Sequence, residues 1–71
     1  MHRQIMYDCG FWHGKHSRAS EQMTTNELQG YANACMLGMI ERQELPVGLT
    51  YEQEIGCEDS WVQGYTDARQ I

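Results

Sequence analysis

Six glycines, Gly10, Gly14, Gly30, Gly38, Gly56 and Gly64, stand inside stretches whose other residues carry a helical period. They constrain this chain more than any other feature. Each costs a helix interior about 1 kcal/mol relative to alanine. A chain that keeps six either interrupts its helices at them or uses them where a second backbone comes close. Three of them recur in one form, as Gly10-Phe11-Trp12-His13-Gly14, Gly30-Tyr31-Ala32-Asn33-Ala34 and Gly64-Tyr65-Thr66-Asp67-Ala68. The form is glycine, aromatic, two variable residues, then glycine or alanine. Small residues four apart share one helix face, so the repeat predicts one close-packing notch per helix with an aromatic ring beside it.

Helix boundaries are legible at two places. Thr24 with Glu27, and Thr50 with Gln53, each fit a capping box, in which side chain and backbone at the helix start satisfy each other reciprocally. The first opens a helix from about Thr25 to Arg42, with Leu28, Tyr31, Ala32, Cys35, Met36, Met39 and Ile40 spaced three and four apart. Pro46 and Gly48, within Leu45-Pro46-Val47-Gly48-Leu49, read as its stop and turn. The second opens a helix from about Tyr51 toward Arg69, carrying Ile55, Val62, Tyr65 and Ala68 on one face. A less marked first helix covers residues 4–16, where Ile5, Cys9, Trp12 and His16 form a stripe, and Ser17-Arg18-Ala19-Ser20 reads as the connection after it. Strand signals are nearly absent. The expected fold is all-α, one small three-helix bundle over residues 1–71 with Gly-aromatic close-packing notches.

Seventy-one residues leave room for one core only. A chain of this size buries about 60% of its unfolded surface, so a metal, a disulfide, a second copy or a partner is a reasonable source of extra stability. The seven aromatic residues are enough to build such a core. Met36 and Met39 fit the same packing.

The Gly-aromatic stretches resemble a pattern found twice in the ribosome modulation factor family of short helical bacterial proteins. That resemblance implies helices and, as one option, association with the ribosome. The family is strongly basic because it sits on ribosomal RNA, whereas this chain carries a formal charge of −5. In size and composition the chain also looks like small phage or prophage accessory proteins.

Charge narrows the partners. Residues 1–18 hold three bases against Asp8, while residues 19–71 hold Arg42 and Arg69 against nine acids. Direct nucleic-acid binding depends on Lys and Arg neutralising phosphates and is not expected. Glu52, Glu54, Glu58 and Asp59, with Glu41 and Glu44 before them, read either as a solvated face or as a surface for a basic protein partner. Trp61 and Tyr65, one turn apart beside Glu58, belong to the core or to that surface. Phe11 and Trp12 are adjacent, so a helix cannot bury both equally; the one left outside suggests a possible homodimer. No stretch spans a bilayer and no secretory leader is evident. With three unpaired cysteines, the chain reads as cytoplasmic.

The sharpest chemical cluster is Cys9, His13 and His16, spaced four and three apart on one helix side. This spacing suits a zinc ion, with His2, Cys35 or Cys57 as a fourth ligand. The alternative is a packed thiol and two ordinary imidazoles. Cys9 and His13 lack the orienting third group a nucleophile pair needs. Glu58 and Asp59 point about 100° apart on a helix and make no carboxylate dyad. The expected function is non-enzymatic: a small acidic protein-binding module that regulates or inhibits a larger protein, one that processes nucleic acid or serves host defence. The alternative is a zinc-stabilised or dimeric structural or sensor protein, or a ribosome-associated factor.

Overall fold

The computed structural model describes residues 2–16 and 24–70. It contains three helices, α1 (His2–His16), α2 (Thr25–Glu41) and α3 (Tyr51–Arg69), and among the described residues no strand forms. The segment Ser17-Arg18-Ala19-Ser20 lies outside the described residues. Among them, no helix is long and apolar enough to cross a membrane.

Both capping boxes are in place. The Thr24 hydroxyl accepts from the Glu27 N–H at 3.2 Å and the Glu27 carboxylate accepts from the Thr24 N–H at 3.1 Å. Thr50 and Gln53 repeat the exchange at 3.2 and 2.9 Å. Helix α2 ends at Glu41 with Arg42 as its cap, where the sequence placed its end. Gln43 takes a left-handed conformation (φ 64°), its N–H donates to the Ile40 carbonyl at 3.1 Å, and the Glu44 N–H reaches back to Met39 at 2.8 Å. This is a Schellman termination, completed before Pro46. Leu45 then folds into the core, and Gly48 supplies the turn at φ 85°.

Helices α1 and α3 make the closest contact in the molecule. A Cβ placed on Gly14 would lie 2.6 Å from the Tyr65 carbonyl oxygen and 2.8 Å from the Ala68 Cβ; one on Gly10 would lie 2.7 Å from the Trp61 carbonyl carbon. From the other side, a Cβ on Gly64 would lie 2.9 Å from the Phe11 nitrogen. Residue numbers rise together along both helices, so α1 and α3 run parallel, each presenting two small residues four apart. Gly30 differs, with nothing within 4 Å of a Cβ placed there.

This contact decides which face of α1 is inside. The buried positions are Met6, Gly10 and Gly14, not the stripe Ile5, Cys9, Trp12 and His16. Close backbone approach needs the small residues at the interface, and that rotates Ile5 and Trp12 outward, leaving Trp12 56% exposed. The core is completed by Ala32, Met36, Met39, Leu45, Cys57, Trp61 and Tyr65, with Leu28, Cys35, Ile40 and Val62 packed against it. Tyr31 and Ile55, expected on inner faces, are exposed.

Candidate functional site

Cys9 and His13 lie one turn apart on α1, and α2 brings Cys35 to meet them. Their ligand-type atoms all lie within 4.8 Å of one another, and the His13 Nε2 is 3.9 Å from the Cys35 Sγ. The third residue expected by spacing, His16, is not in this cluster. Its ring stacks on Trp12 at 4.2 Å between centroids. Its Nδ1 lies 2.8 Å from the Trp12 carbonyl, which can only accept, so that nitrogen carries the proton. Cys57 is buried in the core, beside a shallow hollow lined by His2, Arg3, Thr50, Glu52 and Gln53.

The roof of the cluster is Trp61. His13 packs against its ring at 5.8 Å, and Tyr65 stacks on it at 5.4 Å. The indole N–H of Trp61 is buried without a partner that meets hydrogen-bond geometry. Trp61 exerts a small downward pull on the Cys35 thiol. Burial is the larger influence and, with the neighbouring Cys9, pushes the Cys35 thiol up to about 11. Burial raises Cys57 as well, against the pull of Arg3. That direction is opposite to the activation a nucleophilic thiol needs.

The acidic residues keep to the surface while the aromatics expected beside them do not. Glu52 and Asp59 are exposed, and Glu54 and Glu58 half-buried; Asn33 donates to Glu58 at 3.4 Å. Trp61 and Tyr65 are core residues, 1% and 6% exposed, and burial withdraws both from any docking surface. Their place is taken by Tyr51, 76% exposed, and Ile55, 41% exposed, which sequence reasoning did not select. At about 100° per residue Tyr51 and Ile55 lie about 40° apart, with Glu54 and Glu58 on one flank and Glu52 and Asp59 on the other. The signal was present in the spacing, since Tyr51, Ile55 and Asp59 recur every four residues on the side opposite Cys57, Trp61 and Gly64. Glu44 is partly neutralised by an exposed ion pair with Arg42 at 2.7 Å.

A second polar feature fastens α1 to α3. The Tyr7 hydroxyl donates to Asp67 at 2.6 Å, and the Gln63 amide donates to the same carboxylate at 2.8 Å. The Tyr7 bond first, then that of Gln63, hold the Asp67 carboxyl below the usual carboxylate range. The same bond raises Tyr7 above its ordinary 10.0, so it remains a donor at neutral pH. A carboxyl depressed on folding adds stability that is complete above its unfolded value, about 4, and is lost as pH falls through the folded value. Tyr7→Phe is therefore expected to lower the urea midpoint at pH 7, with the gap closing in acid as pH falls below about 4 and through the folded value. A gap that persists in acid would assign the loss to packing instead.

The chain matches no protein-family model, no curated protein and no solved structure.

Proposed function

We propose that this protein is a small helical binding module that regulates or inhibits a larger protein by docking the N-terminal half of α3 on a basic surface. The observation that carries this reading is the pair Tyr51 and Ile55, exposed one turn apart between two acidic flanks. Exposed apolar side chains in a polar rim are the arrangement protein interfaces use, and acids around them select a basic partner and speed encounter. The formal charge of −5 favours a target such as a nucleic-acid-processing enzyme, whose basic groove the four acids would fill as phosphates do. Small phage or prophage regulators offer a precedent of scale.

The test is capture from lysate at low salt with three baits: the native chain, a chain with Glu52, Glu54, Glu58 and Asp59 all changed to Lys, and Tyr51→Ala. The expected result is one stoichiometric partner on the native bait that elutes with moderate salt. It should be lost on the charge-reversed bait and weakened on Tyr51→Ala by about 2 kcal/mol, roughly thirtyfold in Kd. Equal retention on all three baits would sink the reading.

A further inference from the structure

We propose that the Cys9 and Cys35 sulfurs and the His13 Nε2 form a zinc site that ties α1 to α2. The donor set is the first ground. Two thiolates and an imidazole suit a borderline-soft cation such as zinc, and suit magnesium or calcium poorly. Convergence is the second. The three donors come from two helices, yet lie within 4.8 Å of one another. Tetrahedral zinc, with Zn–S about 2.3 Å and Zn–N about 2.0 Å, places its ligand atoms roughly 3.5–3.8 Å apart. The 3.9 Å between His13 and Cys35 is already near that value, and side-chain rotation of the half-buried Cys9 closes the remainder.

The third ground is a buried polar group beside the cluster. Trp61 is 1% exposed, and its buried N–H lacks a hydrogen-bond partner among the described residues. An orphaned buried donor is destabilising, and a neutral thiol is a weak acceptor. A metal-bound thiolate is a strong one, and Trp61 packs on the cluster through His13 at 5.8 Å, so a filled site brings a strong acceptor to the side of the indole. Architecture gives the ion a purpose. The tight backbone contact joins α1 to α3, whereas Cys35 meeting His13 is where α2 reaches α1. A cross-link there staples the helix that small-residue packing leaves out. Three protein ligands leave the fourth position to water.

The test uses the full reduced, metal-free chain without an affinity tag, titrated with cobalt(II) as the spectroscopic stand-in for zinc. The expected result is a thiolate-to-cobalt charge-transfer band and intense tetrahedral visible bands that saturate at one ion per chain and vanish on adding zinc. Cys35→Ser, Cys9→Ser and His13→Ala should each weaken binding by about 100-fold, with circular dichroism checking that each remains helical. Should a variant not fold, cysteine alkylation provides the second measure, with zinc protecting Cys9 and Cys35 but not adding to the protection of Cys57. His16→Ala and Cys57→Ala should bind as the native chain does. Octahedral cobalt spectra, sub-stoichiometric zinc, or loss of binding in His16→Ala with retention in Cys35→Ser would overturn the proposal. None of these readouts involves the acidic face of α3, so this site and the docking surface fail or stand separately.

Discussion

Gly10→Ala and Gly64→Ala are each expected to lower the melting midpoint by at least about 10 °C, while Gly30→Ala raises it by about 4–8 °C. All three exchange the same residue types at helix positions, and all three gain about 1 kcal/mol of helix propensity. The difference is what the new methyl group meets. At Gly10 it meets the Trp61 backbone, and at Gly64 the backbones of Tyr7 and Phe11. Backbone atoms of a packed helix cannot rotate aside, so α1 and α3 must separate along their whole contact. Overpacking costs typically about 1–3 kcal/mol, and a clash with main chain belongs at or beyond the upper end. A chain of this size rarely holds more than about 3–5 kcal/mol in total. At Gly30 nothing lies within 4 Å, and only the propensity gain remains. Circular dichroism melts decide the matter; a Gly10→Ala chain that melts at or above the native one would mean the two helices do not meet there.

Trp61→Ala is expected to abolish cooperative unfolding altogether, whereas Trp12→Phe leaves stability within about 0.5 kcal/mol. Trp61 is 1% exposed and touches the rings of His13 and Tyr65. Truncating a core aromatic to alanine costs about 3–5 kcal/mol, equal to the whole margin. Trp12 is 56% exposed and rests on His16 at the surface. The pair also gives a clean measurement, because Trp12→Phe leaves Trp61 as the single indole. Its fluorescence should be blue-shifted in the folded chain and move red in one step with urea. An already red-shifted emission without denaturant would show that Trp61 is not enclosed.

What could be read from the residues depended on whether the deciding interaction was local. The starts of α2 and α3 were legible because Thr24 with Glu27, and Thr50 with Gln53, close their exchange within four residues. The end of α2 near Arg42 was legible too, but how it closes was not, since Gln43 takes the left-handed position usually held by glycine. The inner face of α1 was misassigned for a plainer reason. Periodicity counts large apolar residues, and here the interface is built from Gly10 and Gly14, so Ile5 and Trp12 read as core while standing outside. For the thiol–imidazole cluster, spacing on one helix gave Cys9 and His13. The third member depends on how α2 packs, so Cys35 entered only as one of three choices for a fourth ligand. The acids at 52, 54, 58 and 59 were read as surface and lie there, but the largest aromatics nearby, Trp61 and Tyr65, were needed inside.

The parallel pairing of α1 with α3 also sets a timetable. Gly10 and the Trp61 backbone it touches are about 50 residues apart in the chain. At roughly 5–20 residues per second, synthesis of that interval takes about 3–10 s. Throughout it, α1 has left the peptidyl-transferase centre while its partner does not yet exist, and the strip around Met6, Gly10 and Gly14 is unpaired. The tightest joint in the molecule thus has to wait for its C-terminal half to be made, and until then α1 has no native surface to close on.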